Sequence, residues 1–168
     1  MPHGTDFDEF YASTCRRLIS QVYAMIGDLA EAEDAVQEAF TRAWQRWATL
    51  REYADTEAWV RTVAYRAAVS SWRKAVNRFA AHRRHGAGVD LPELGPEHVM
   101  LVQAMRRLTV DQRRVVVLHH LVGLPVEDIA RETGTAIGTV KSRLSRGRRT
   151  LAAELGDVDI QNNRTTDA

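Results

Sequence analysis

The stretch PVEDIARETGTAIGTVKSRLSRGRR, residues Pro125–Arg149, decides the fold. Pro125 fits the first turn of a short helix to about Glu132, where its fixed φ and missing N–H do no harm. Gly134 ends that helix, and Thr135 is placed to cap a final one running to about Leu155. A short helix, a glycine turn and a second helix rich in Lys and Arg form a helix-turn-helix pattern. Ile129, Ala130, Val140 and Leu144 would lock the two helices together. Ile137, Gly138, Thr139, Lys141, Ser142, Arg143 and Arg146 are then left toward a DNA major groove or its phosphates, since the N-terminal part of such a helix meets base edges. Lys141 and Arg143 are the foremost base-reading candidates. Arg148 and Arg149 lie further along and suit backbone phosphates, which add affinity without sequence information. The competing reading is a helical hairpin with a solvated basic face; capping, spacing and charge together favour DNA binding.

Helical signals continue outward from this stretch and nothing alternates like a strand, so the expected class is all-α. Upstream, His98–Leu108 reads as one helix. Thr109 with Gln112 three residues on is a capping-box signature opening the next, which runs through Leu121 and ends at Gly123. Before these, Asn77–Pro96 holds Gly86, Gly88, Gly95, Pro92 and Pro96 beside the basic Arg83 and Arg84, the composition of a linker. The expected organisation is two small helical domains, 7–76 and 97–156, joined by a flexible linker, 77–96, and followed by a polar, disordered tail, 157–168.

In the first half, one helix is expected over Phe7–Ile26, with Gly27 as its C-terminal glycine. Asp28 followed by Glu31 marks a new start. Leu29, Ala32, Val36, Ala39, Ala43 and Trp47 then form one apolar stripe, and Glu33, Asp34, Gln37 and Glu38 stand on the opposite side. Glu38 and Arg42 also make a favourable four-residue ion pair. Thr49–Thr56 reads as a loop. Glu57 to about Lys74 follows as a helix with Val60, Val63, Ala64, Ala67 and Ala68 inward, and with Trp59, Arg61, Tyr65, Arg66 and Arg73 shared between core edge and surface. Aromatics at helical spacing are more often core than nucleic-acid platforms. The flanking arginines shift that balance, because aromatic and cationic groups on one face can stack unpaired bases and hold phosphates.

The formal net charge of +1 hides a separation by sign. Residues 1–40 hold 8 acids against 2 bases, net −6; residues 41–90 hold 10 bases against 4 acids, net +6; residues 131–150 hold 6 bases against 1 acid, net +5. Two basic surfaces suit a polyanion, whereas the acidic start suits a basic protein surface. Cys15 is the sole cysteine, which excludes an intrachain disulfide and a cysteine-held metal. No histidine lies at ligand spacing from Glu33, Asp34 and Glu38, and His82 and His85 flank arginines without a cysteine, so no metal, cofactor or catalytic site is expected. No apolar run approaches a membrane span, and Met1–Phe10 carries Asp6, Asp8 and Glu9 where a signal peptide needs positive charge. A soluble, cytoplasmic, non-enzymatic protein is expected.

The string Ala32-Glu33-Asp34-Ala35-Val36-Gln37-Glu38-Ala39-Phe40, then Arg42-Ala43-Trp44 and Trp59-Val60-Arg61, resembles the first conserved domain of the extracytoplasmic-function (ECF) group of the sigma-70 family, more loosely its actinobacterial SigE-like branch. Gly134-Thr135-Ala136-Ile137-Gly138-Thr139-Val140-Lys141-Ser142-Arg143-Leu144-Ser145-Arg146-Gly147 resembles the second. Response regulators end in similar helix-turn-helix modules, so the two matches in this order are more specific than either alone. The resemblance implies a sigma region 2 bundle and a sigma region 4 helix-turn-helix, and hence a factor that binds core RNA polymerase and recognises promoter DNA. It implies that Glu33, Asp34, Gln37 and Glu38 face the β′ clamp helices. It makes the loop Leu50–Thr56, with Arg51 and Tyr53, and the face of Trp59, Arg61, Thr62, Tyr65 and Arg66 the minus-ten reader, which captures a flipped base. The last two helices become the minus-thirty-five reader, including Ile137 to Arg146 as above and Arg148, and touch the polymerase β flap. An anti-sigma factor is a further implied partner. Arg66 and Ser70 stand where many members carry asparagine and aspartate, and Thr109-Val110 where a leucine-proline start is common. The alternative from a different class is a stand-alone helix-turn-helix regulator that binds a palindromic operator as a dimer.

Overall fold

The structure, a computed structural model, describes residues 4–79 and 96–165. These residues are helical throughout their ordered elements, with no strand among them, and the chain divides into two compact units, residues 1–89 and 90–168.

The first unit contains α1 (Gly4–Ile26), α2 (Leu29–Gln45), a short α3 (Trp47–Leu50) and α4 (Thr56–Phe79). Gly27 ends α1 at φ +81°, a conformation open to glycine without steric cost, and its N–H bonds the Tyr23 carbonyl at 2.7 Å. Asp28 then caps α2, its Oδ1 accepting the Glu31 N–H at 3.0 Å. The expected α2 stripe is broken before its end. The backbone leaves the helix at Arg46, so Trp47, 5% exposed, belongs to α3. The expected loop shrinks to 51–55, because Asp55 Oδ1 accepts the Ala58 N–H at 2.8 Å and starts α4, while Thr56 Oγ1 donates to the Leu50 carbonyl at 2.9 Å.

The core joins Leu18 and Val22 of α1 to Ala32, Ala35, Val36, Ala39, Phe40 and Ala43 of α2 and Val60, Ala64 and Ala68 of α4. Alanine at most α2 and α4 core positions permits a close approach of the two helices, whose separation follows side-chain size. Larger residues fill the edges, and full burial of Leu18 contributes about 1.5 to 3 kcal/mol. Phe7, Phe10, Tyr11, Phe40, Trp44 and Trp47 close one end as an aromatic cluster, with Phe7 edge-on to Trp47 at 5.1 Å and to Trp44 at 4.9 Å.

The second unit contains α5 (Pro96–Arg107), α6 (Val110–His120), α7 (Val126–Thr133) and α8 (Ile137–Thr165). The capping box forms as expected: Thr109 Oγ1 accepts the Gln112 N–H at 3.3 Å and Gln112 Oε1 accepts the Thr109 N–H at 3.1 Å. Arg113, 8% exposed, reaches back from α6 and donates to the carbonyls of Met105 at 2.8 Å, Leu108 at 3.3 Å and Arg106 at 3.4 Å. The Met105 carbonyl also accepts the Leu108 N–H at 3.2 Å, so one buried cation supplements the backbone closure at the end of α5. α8 packs against α5, α6 and α7, with Val115, Leu118, Ile129, Val140 and Leu144 buried in this unit.

Further expectations change. Pro125 sits at the N-cap of α7 rather than inside it. Thr135 does not cap α8; its hydroxyl donates to the Thr133 carbonyl at 3.4 Å, and the Ala136 carbonyl takes the first N–H groups of α8. The tail expected to be disordered from 157 continues α8 to Thr165, since neither proline nor a left-handed glycine follows Gly134 to stop it. α4 similarly runs past 77 to Phe79, and 80–95 of the expected linker lie outside the described residues. No described helix is long and apolar enough to cross a membrane.

Candidate nucleic-acid interface

In the second unit the turn between α7 and α8 is set by Gly134 at φ +63°, ψ +33°. The Thr135 N–H bonds the Ala130 carbonyl at 3.0 Å and the Gly134 N–H bonds that of Arg131 at 3.4 Å, the paired closure of a helix that ends on a left-handed residue. Ile129, Val140 and Leu144 are buried as expected, and Ala130 is half-buried. Their burial turns the opposite side of α8 outward: Ile137, Gly138, Thr139, Lys141, Arg146, Arg148 and Arg149 are exposed, and Ser142 is half-buried, its Oγ donating to the Thr139 carbonyl at 3.0 Å. A helix that presents its first turns in this way fits a major groove.

Two of the cations have partners from α6 that the sequence did not suggest. Arg143 Nη2 lies 2.5 Å from Asp111 Oδ2, and Arg148 Nε donates to His120 Nε2 at 3.1 Å. Burial, then Arg148, then the neighbouring His119 push the His120 pKa below its ordinary value of 6.5. Both partners sit 28 or 32 residues away in sequence, beyond any local pattern.

In the first unit Glu33, Asp34, Gln37 and Glu38 are all exposed on α2, and Glu38 pairs with Arg42. The candidate strand-binding face is divided. Arg51, Tyr53 and Arg66 are exposed, Trp59 and Thr62 are half-buried, and Tyr65 and Arg61 are buried. Arg61 Nη1 lies 3.8 Å from Glu57 Oε1 and 3.5 Å from Gln21 Oε1. Glu57 also receives Arg17 of α1 through two bonds, at 2.6 Å and 3.1 Å. The helical pattern gives Arg61 and Tyr65 an edge position, but both are buried, Arg61 beside Gln21 of α1. A cleft of about 300 Å³ opens between Arg46, Thr49, Leu50, Tyr53 and Trp59. It stands at the small end of ligand clefts, roughly 300 to 1,000 Å³. Sequence reasoning missed Arg46, because the break before α3 that brings it to the loop has no strong local signal. Among the described residues no cluster suited to a metal occurs.

Residues 10–78 match the family Sigma-70 region 2, and residues 98–151 match Sigma-70, region 4. The ECF RNA polymerase sigma factor SigL of Mycobacterium tuberculosis is 30% identical over 143 residues, covering 81% of this chain and 81% of that one. The RNA polymerase sigma-E factor of Streptomyces avermitilis is 28% identical over 164 residues, covering 95% and 92%. Among solved structures, the sigma factor RpoE of Bartonella quintana, in complex with the anti-sigma factor NepR, superposes with a TM-score of 0.77 at 26% identity, covering 90% of this chain and 97% of that one.

Proposed function

Because the chain belongs to the sigma-70 family, in its ECF group of RNA polymerase sigma factors, we propose that each of its two units carries a separate part of promoter recognition. The acidic face of α2, Glu33, Asp34, Gln37 and Glu38, docks on the β′ clamp helices of core polymerase. The cleft formed by Arg46, Thr49, Leu50, Tyr53 and Trp59, with Arg51, Thr62 and Arg66 around it, takes the flipped base of the minus-ten element. The start of α8 reads the minus-thirty-five element, with Lys141 and Arg143 at base edges and Arg146 and Arg148 at phosphates, and the second unit also touches the β flap. Sigma factors are not enzymes, and this one acts by binding alone, in the cytoplasm where polymerase and promoter meet. An anti-sigma factor is a further partner, supported by the Bartonella neighbour and its bound NepR.

The observation that carries this reading is the outward placement of both faces on opposite-charge elements: four exposed acid or amide groups on α2, and exposed cations along α8. Magnitudes support a need for polymerase. Opening about ten base-pair steps at roughly 1.4 kcal/mol each costs on the order of 14 kcal/mol. Stacking one or two captured bases returns roughly 1 to 3 kcal/mol apiece. The free protein therefore leaves a promoter closed, and polymerase contacts to opened DNA supply the difference. A stand-alone operator-binding dimer is not favoured, since it leaves the match of the first unit without a role.

The test is co-elution with bacterial core RNA polymerase, comparing the wild type with an Asp34→Lys, Glu38→Lys variant whose helicity is checked by circular dichroism. The wild type binds and the folded variant does not. Equal binding by both would remove the acidic face of α2 from the docking surface.

A further inference from the structure

Arg143 differs from Arg148, which donates to a histidine, in being held by a carboxylate. Lys141, Arg146 and Arg149 are exposed, whereas the Arg143 side chain keeps 27% of its exposure and its Nη2 is hydrogen-bonded to Asp111 Oδ2 in the first turn of α6. Asp111 itself is 59% exposed, so burial does not force the pair, and an ion pair of this exposure contributes little to stability. An acid in the first turn of a helix is favourable without any partner, through the unpaired N–H groups there. What the contact does fix is the position of the Arg143 fork.

That matters for a base-reading arginine. A guanidinium has five N–H donors, and guanine is read by two of them, in parallel, at O6 and N7. A carboxylate that occupies one nitrogen leaves the remaining donors available and removes rotamers in which a long side chain swings to a phosphate. Its negative charge also opposes approach of the phosphate backbone to the same spot. From this geometry we infer that Asp111 is a positioning residue for upstream-element specificity: it holds Arg143 toward a base edge and keeps it from acting as a non-specific phosphate contact. The inference rests on the reading of the second unit as the minus-thirty-five reader.

The experiment uses the full chain with core polymerase and a set of promoters carrying each single base change across the upstream element. With the wild type, one position depends on Arg143, seen as loss of discrimination there in Arg143→Ala. Asp111→Asn should lower the matched-to-mismatched ratio at that same position by about 3- to 10-fold, without reducing initiation from mismatched promoters. The double variant should discriminate no worse than Arg143→Ala. Asp111→Ser, which keeps a residue suited to a helix start, should repeat the result and guards against a fold defect in the first variant.

An unchanged ratio in Asp111→Asn, an equal loss at every position, or a further loss in the Arg143→Ala background would overturn the inference. So would discrimination that survives Arg143→Ala but falls in Lys141→Ala, which leaves the second unit as the reader and removes Arg143 from it. A wild type that discriminates at no upstream position would overturn the underlying reading together with the inference.

Discussion

Gly147 of α8 lies against Val116 of α6 so closely that a Cβ at 147 would stand 2.8 Å from Val116 Cγ2. Val116 is 5% exposed and has little room to withdraw. The requirement at this position is for the absence of a side chain, at the point where the helix carrying Arg143, Arg146 and Arg148 crosses α6.

Gly147→Ala should therefore destabilise the second unit. Overpacking costs about 1 to 3 kcal/mol, against roughly 0.5 to 1 kcal/mol that alanine gains over glycine inside a helix. Gly156→Ala, with nothing within 4 Å of its Cβ, should have the opposite sign. Urea denaturation of the two variants checks the pair, and Val116→Ala should offset part of the Gly147→Ala loss. Equal shifts at 147 and 156 would mean that α6 and α8 are not in close contact there.

Thr109→Ala removes the hydroxyl end of the capping box that opens α6, where Thr109 and Gln112 exchange bonds at 3.1 Å and 3.3 Å. The expected loss is about 1 kcal/mol, and Thr109→Ser should restore most of it. Thermal unfolding of the three proteins measures both. A null effect would assign the start of α6 to packing alone.

Arg61 and Arg66 should separate stability from strand binding. Arg61 is 2% exposed and lies beside the half-buried Glu57 and buried Gln21, so Arg61→Ala removes the buried partner of this group, at a cost of about 3 kcal/mol. The estimate is at the low end because Glu57 retains Arg17. Arg66 is exposed, and Arg66→Ala should change stability by less than about 0.5 kcal/mol. It should instead weaken holoenzyme binding to a promoter fragment with a pre-opened minus-ten bubble and flatten its salt dependence. Denaturation and bubble binding of both variants decide the division; reduced bubble binding in a fully stable Arg61→Ala would return Arg61 to the DNA face.

What the sequence made legible follows from the range of the forces involved. Glycine ends, the Asp28 and Thr109 caps and the stripe of α2 as far as Ala43 are local devices, and all appear where the residues predict them. The stop at Arg46 and the extension of α8 beyond Gly156 depend on weak local preferences, and at both the structure departs from the expected helix ends. Within the candidate interfaces, exposure of the α2 acids and of the α8 cations followed from helical periodicity. The burial of Arg61 and Tyr65, the pairing of Arg143 with Asp111 and the closeness of Gly147 to Val116 depend on which helix lies across the way, which periodicity does not encode.

His120 makes the second unit sensitive to pH in a direction set first by desolvation of its ring and then by Arg148. Its Nε2 accepts the Arg148 N–H at 3.1 Å, which requires the neutral ring with its proton on Nδ1. Burial, Arg148 and His119 all disfavour the charged form, so the folded-state pKa lies below the ordinary 6.5. A depressed pKa means that the unfolded chain takes up the proton first as pH falls. The stabilising contribution is thus complete above about pH 6.5 and is lost as pH drops through the lower folded value. His120→Gln should flatten that part of the pH–stability curve relative to the wild type, leaving the part due to other groups. DNA should act oppositely on the same proton. Phosphates beside Arg148 favour the imidazolium, so DNA binding should take up a proton and strengthen below about pH 6.5 while the fold weakens. Unfolding midpoints and DNA affinity of wild type and His120→Gln across this range test both signs. A stability curve that His120→Gln leaves unchanged would show that the folded state does not lower the His120 pKa, and an affinity curve left unchanged would place Arg148 away from the phosphates.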